Sequence, residues 1–142
     1  EMICMVERVN IIDDLYAWLP TSDKSRFCRK EGLETLESKT TFATPGKCRD
    51  GVDAIWKDCV IVTSPISNME QLTGRILRNA ENKRTPIVID LLDYGSRDIS
   101  RTFYNRQKFY EQKGWPIQYI LIKDDITKKI DKETALEIIN EN

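Results

Sequence analysis

Arg75 and Arg78 stand in the run Gln71-Leu72-Thr73-Gly74-Arg75-Ile76-Leu77-Arg78. At about 100° per residue, Gln71, Gly74, Arg75 and Arg78 share roughly a third of a helix circumference. Met69, Leu72, Ile76 and Leu77 take the remainder as an apolar surface. A guanidinium is always charged and offers a planar fork of donors, so two of them about one turn apart suit a polyanion such as a triphosphate. A glycine between them lets a ligand or a partner backbone approach closely. Arginines at helical spacing also make an ordinary solvated face, so position has to decide.

The elements around this run supply that position. Ser67 and Glu70 have capping-box spacing, which predicts a helix over 68–79. Residues 59–63 read as a continuous apolar strand leading into it. Residues 2–6 form another short apolar run, followed by an N-cap at Asn10 and a helix on Ile11, Ile12, Leu15, Tyr16 and Leu19 that stops at Pro20. Short strands are expected at 25–29 and 40–43, a short helix at 31–38, and a turn at Thr44-Pro45-Gly46. Residues 48–55 read as a helical turn or loop. Residues 86–92 read as a buried-type strand, 97–113 as a long helix ended by Gly114, 117–122 as a last strand, and 131–140 as a short amphipathic helix.

Solid apolar strands alternating with helices predict an α/β fold: a mostly parallel sheet, flanked by helices on both faces, in three layers. Ligands in such sheets sit beyond the carboxyl ends of the strands. Three strand exits then converge on one edge: Glu7-Arg8-Val9-Asn10, Thr44-Pro45-Gly46-Lys47 and Ser64-Pro65-Ile66-Ser67. The helix with the two arginines starts from the third.

Composition narrows the chemistry. The chain has 142 residues, room for one ordinary domain with a real core. Lys and Arg number 22 against 23 Asp and Glu, a net charge of -1, so a polyanion site must be a local concentration of cations. There is no histidine, which removes the usual general base and zinc ligand. Cys4, Cys28, Cys48 and Cys59 are scattered singly and predict reduced thiols with no metal site. With no long apolar run and no signal-peptide pattern, no membrane partner is expected. The expected location is intracellular: cytoplasm, nucleus, or a viral replication or transcription site. Glu1 is not an initiator, and the expectation is a fragment of something longer.

The segment Thr44-Pro45-Gly46-Lys47-Cys48-Arg49-Asp50-Gly51-Val52-Asp53, followed by Gln71 to Arg78, resembles motifs V and VI of superfamily 2 helicases. Residues 2–10 resemble their motif IV strand and its exit loop. Order and spacing match the second, C-terminal RecA-like motor domain over residues 2–113. The form Gln-x-x-Gly-Arg-x-x-Arg is closest to phage, poxvirus-like and repair-type DNA helicases. The resemblance implies a RecA-like domain over residues 1–122, leaving 123–142 as an extension with a short helix.

The same resemblance implies roles. Arg78 would be the arginine finger on the γ-phosphate, Arg75 its companion, and Gln71 a sensor beside them. Gly51, Asp53 and Gly74 would approach the nucleotide. Thr44, Gly46, Lys47, Arg49 and Arg8 would hold the backbone of a nucleic-acid strand, DNA rather than RNA. The cofactor would be ATP with Mg2+, held mainly by an N-terminal RecA-like domain.

Several features depart from a complete motor. No P-loop and no acidic magnesium motif occur in these residues; Pro45-Gly46-Lys47-Cys48 lacks the hydroxyl and the upstream glycine of a Walker A sequence. The chain is therefore expected to complete an ATP site in trans and to be inactive by itself. The alternative is a stand-alone RecA-like module that binds nucleic acid or protein without turnover, in which a finger would have no use. Asp90 and Asp93 are spaced like metal ligands, with structural capping the preferred reading. Arg97, Arg101, Tyr104 and Lys108 share a face opposite Ile99, Phe103 and Tyr110. That face reads as a solvated basic surface, with a nucleic-acid stripe as the alternative. Trp115 reads as core rather than a stacking wedge.

Overall fold

The computed structural model describes residues 1–49, 52–64, 66, 68–76, 78, 81–96 and 99–141, with the backbone alone for Leu72, Arg75, Ile76 and Ile99. The chain forms two compact units, Glu1–Leu91 and Leu92–Asn142. The first runs β1 (Met2–Met5), α1 (Val9–Trp18), β2 (Lys24–Phe27), a 3₁₀ turn (Leu33–Glu37), β3 (Thr40–Ala43), α2 (Pro45–Arg49), β4 (Cys59–Val62), α3 (Met69–Ile76) and β5 (Ile87–Asp90). Its strands pair in parallel in the order β2-β3-β1-β4-β5. The architecture is the expected mostly parallel α/β sheet flanked by helices.

Register divides the sheet into two faces. Ile3, Met5, Thr41, Ala43, Val60 and Val62 point one way and are fully buried. On the other face Cys4, Val6, Phe42 and Cys28 form a core with Ile12 of α1, and Val9, Leu15, Tyr16, Leu19 and Ile61 pack around it. Each large apolar side chain removed from water in this way contributes about 1.5–3 kcal/mol. Strands covered on both sides explain why β1 and β4 read as solid apolar runs.

Four local expectations change. Helix α1 starts at Val9, with Arg8 as its N-cap and no side-chain cap, so Asn10 lies inside the helix. The turn expected at Pro45-Gly46 is the start of α2. Strand β5 is a sheet edge whose Ile87 and Ile89 stay exposed, at 57% and 42%, so it is half-covered rather than buried. The last strand, β6 (Tyr119–Lys123), does not extend a parallel sheet. It pairs antiparallel with β7 (Ile126–Ile130).

That hairpin belongs to the second unit, with α4 (Ile99–Gln112) and α5 (Lys132–Asn140). Asp124 and Asp125 both have positive φ, 50° and 62°, as the primed two-residue hairpin turn demands. Helix α4 ends as expected at Gly114, whose φ of +68° places it in the left-handed region. Gly114 N–H donates to the Glu111 carbonyl and Trp115 N–H to that of Tyr110, at 3.0 and 3.1 Å. This is a Schellman ending, and its usual apolar contact is present: Trp115 stacks on Tyr110 with ring centroids 5.9 Å apart. Phe103 and Ile139 form the unit's core, with Leu92, Tyr94, Tyr119 and Leu136 around them. None of the described helices is long and apolar enough to cross a membrane.

A buried cation sits beneath the first sheet. The Lys57 side chain has no exposed surface, and its ammonium donates to the Ser38 carbonyl and to Thr41 Oγ1, the latter at 3.2 Å. Desolvation holds it below the ordinary lysine value, partly opposed by Asp23 and Asp58. In the window between its folded and unfolded values, the unfolded chain binds the extra proton, so stability rises with pH and levels off above about 10.4. Urea titrations of wild type and Lys57→Met from neutral to alkaline pH should show the wild type gaining on the variant through that window. A difference that stays flat would contradict the buried-cation assignment.

Candidate functional site

Parallel pairing of β3, β1 and β4 brings their carboxyl ends to one edge, as expected, and hydrogen bonds continue past the strands. Val6 N–H donates to the Ala43 carbonyl at 2.9 Å, and Thr63 Oγ1 donates to the Met5 carbonyl at 2.8 Å. Glu7 N–H reaches Ser64 Oγ at 3.0 Å. The chain leaves β1 toward β2 on one side and β4 toward β5 on the other, so the β1/β4 boundary is the topological switch point. Arg8 lies there, exposed, with its carbonyl accepting from the Ile11 and Ile12 amides.

Helix α3 rises from the β4 exit. Asn68 Oδ1 accepts from Gln71 N–H at 3.1 Å, an N-cap at the residue that opens the helix. Ser67, the expected capping-box residue, lies outside the described residues. Met69 and Thr73 are buried, and Thr73 Oγ1 donates back to the Met69 carbonyl at 2.6 Å. Gln71 and Gly74 are exposed on the other side. The helix ends at Ile76, so Arg78 follows its last residue instead of standing within it. Arg78 Nε still donates to the Gly74 carbonyl at 3.3 Å, and Lys83 Nζ donates to the Arg78 carbonyl at 3.0 Å. A helix terminus leaves carbonyls without intrahelical partners, and the guanidinium satisfies one of them.

The same guanidinium reaches Asp53 Oδ1 at 4.0 Å, with side chains 59% and 57% exposed. Asp53 supplies the acid facing Arg78 from a segment distant in sequence. An ion pair this exposed is worth about 0–1 kcal/mol, so it orients the two groups more than it stabilises the fold. Gly51 lies outside the described residues, and the Arg75 side chain is not described.

At the β3 exit, Thr44 is half-buried, its N–H donating to the Phe27 carbonyl at 3.3 Å. Lys47 turns toward the β2 exit, donating to the Arg29 carbonyl at 3.2 Å with its ammonium 5.2 Å from the Phe27 ring centroid. Arg49 and Gly46 are exposed. Burial pushes the Cys48 thiol up to about 12 and Cys4 to about 11, which keeps both protonated and unreactive at neutral pH. Asp93 accepts from Gly95 N–H at 3.1 Å, a local turn contact of the capping kind. Among the described residues no three potential metal ligands cluster. On α4, Phe103 is buried and Arg101, Tyr104 and Lys108 are exposed, with the Tyr104 hydroxyl donating to Asn140 Oδ1 at 2.9 Å. Arg97 lies outside the described residues. Buried Arg106 and Gln107 on that helix were not anticipated, because a polar residue carries no sequence mark of burial.

The glycines are informative. Among the described residues a Cβ built on Gly46 or Gly74 meets nothing within 4 Å, and neither has a positive φ. Nothing in the packing of the described residues therefore requires glycine at Gly74, although glycine in a helix interior costs about 1 kcal/mol relative to alanine. Gly74 is exposed between Gln71 and Arg78, and no described residue covers it.

The chain is similar to proteins named as helicases. A protein of African swine fever virus, isolate Pretoriuskop Pr4, is named as an ATP-dependent RNA helicase; it is 34% identical over 86 residues, 59% of this chain and 17% of that protein. One of Acanthamoeba polyphaga mimivirus, also named as an ATP-dependent RNA helicase, is 27% identical over 65% of this chain and 18% of its own length. One of Escherichia phage T5, named as a helicase, is 36% identical over 46% of this chain and 15% of its length. The matched stretch is thus less than a fifth of each relative. No family model matches the chain.

Gly74→Ala should raise the stability of the chain by about 0.5–1 kcal/mol, read from the midpoint of urea unfolding at unchanged slope. A loss of stability would mean that the glycine serves packing after all.

Proposed function

We propose that this chain is the second motor domain of an ATP-dependent superfamily 2 helicase or translocase, completing an ATP site held mainly by an N-terminal RecA-like domain. The observation that carries the proposal is the open surface over Gly74, exposed between Gln71 and Arg78 on a helix that leaves a strand at the switch-point edge. Arg78, with Arg75, neutralises charge developing on the transferred phosphoryl group, a contribution of about three to five orders of magnitude where such fingers are measured. Gln71 senses the γ-phosphate, and Gly51 and Asp53 approach the nucleotide. The described residues gather no acidic cluster for Mg2+, so the proposal leaves the metal with the other domain.

Arg8, Thr44, Gly46, Lys47 and Arg49 hold the strand backbone along the same edge. Lys47 contributes less than Arg8 and Arg49, because its ammonium is already bonded to the Arg29 carbonyl. DNA is the proposed strand, on the Gln-x-x-Gly-Arg-x-x-Arg form; two of the viral relatives carry RNA in their names, so both need comparing.

In the natural full-length protein, Arg78→Ala should lower ATP turnover about a thousandfold while ATP affinity stays within a few-fold. Turnover at the wild-type rate would remove the finger role and favour a binding module without hydrolysis.

A further inference from the structure

We propose that the β6–β7 hairpin of the second unit is a pairing surface for a second copy of this chain, joined edge to edge through β6 in antiparallel register. A two-residue turn makes Lys123 and Ile126 a hydrogen-bonded pair, so Leu121 with Lys128 and Tyr119 with Ile130 also bond within the hairpin. Ile120 and Ile122 face Lys129 and Thr127 as the alternate, non-bonded pairs. Their amides and carbonyls therefore point away from β7, off the outer edge of β6. Among the described residues these backbone groups have no partner outside the hairpin.

The same two residues carry the hairpin's exposed apolar face. Tyr119 packs into the Phe103 core, and Leu121 and Ile130 on its face are half-buried. Ile120 and Ile122 lie on the opposite face and stay 58% and 61% exposed. A hairpin of two strands is marginally stable by itself, and an edge strand with unpaired backbone groups is a template for a further strand.

Charge selects the strand and its register. With antiparallel pairing centred on Leu121, Ile120 of one copy meets Ile122 of the second copy, and the two exchange N–H···O=C bonds. Leu121 then faces Leu121, and Lys123 faces the Tyr119 ring, a favourable partner for a cation. No like charges oppose each other. The same operation on β7 sets Lys128 directly against Lys128, with Lys129 of each copy alongside, and like charges opposite one another are destabilising. Lysines guard exposed edges against pairing; β7 carries that guard at its centre and β6 does not. Because β6 is complementary to itself about Leu121, a two-fold operation closes the contact, and the product is a dimer and not a filament.

Such a contact is weak, so the whole chain is followed by sedimentation velocity from about 10 µM to about 1 mM, with amide hydrogen exchange read by NMR at both ends. A monomer–dimer equilibrium should fall within that range. Exchange should slow at Ile120 and Ile122 as the dimer forms, while Thr127 and Lys129 on the other edge keep their rates. Ile120→Lys and Ile122→Glu should each weaken association about tenfold. Ile126→Lys, at a side chain 67% exposed on the opposite face, should leave it within about twofold. Mixing I120K chains with I122E chains should restore the dimer, because this register sets the introduced charges opposite each other. A chain still monomeric at about 1 mM overturns the proposal. So does a dimer whose Ile120 and Ile122 amides stay unprotected, or a mixture that associates no more tightly than either variant alone.

Discussion

Everything at the candidate site depends on β1 lying between β3 and β4 with all three strands parallel. Pairing in one direction brings Arg8, Thr44 and Ser64 to a common edge, although they are far apart in sequence. Burial on both faces fixes that arrangement. Slipping β1 by a residue would turn fully buried Ile3 and Met5 onto the opposite face, and slipping β4 would do the same to Val60 and Val62. The edge is thus held by the core and does not rely on contacts between its own polar groups. Its side chains can be exposed and weakly paired without loss of register.

Arg78 shows what that freedom permits. It lies past the end of α3, yet contacts to the Gly74 carbonyl and to Asp53 hold its guanidinium near the exposed face. Both contacts are solvent-accessible and individually worth little, so a phosphate group could take their place at small cost. In the proposed reading, Asp53 and Arg78 link the two segments that resemble motifs V and VI. A carboxylate keeps the cation oriented until a stronger anion competes for it. Gly74 fits the same account, since it carries a helix penalty that the packing of the described residues does not explain.

Much of the fold was legible because it is written in apolar periodicity. The runs at 2–6, 40–43 and 59–63 became the central strands, and Gly114 ended its helix through a left-handed conformation that glycine accepts most readily. Failures came where backbone geometry or edge position decides. Asp124 and Asp125 make a primed turn without the glycine that usually signals one, so β7 went unseen. Strand β5 has the composition of a buried strand, but lateral position in a sheet has no local sequence mark. At the site, the spacing of Gln71 and Gly74 foretold a shared exposed surface. The Asp53 contact was not legible, because it joins side chains whose proximity only the fold creates.

The central claim is that this edge works on ATP and a nucleic-acid strand together. The most direct measurement is steady-state ATP hydrolysis by the natural full-length protein, alone and with saturating single-stranded DNA or RNA at matched salt. The account predicts that one of the two strands, DNA in the present reading, accelerates hydrolysis by about tenfold or more, equivalent to about 1.4 kcal/mol off the barrier. Hydrolysis unaffected by either strand, with the protein folded and ATP bound, would contradict it.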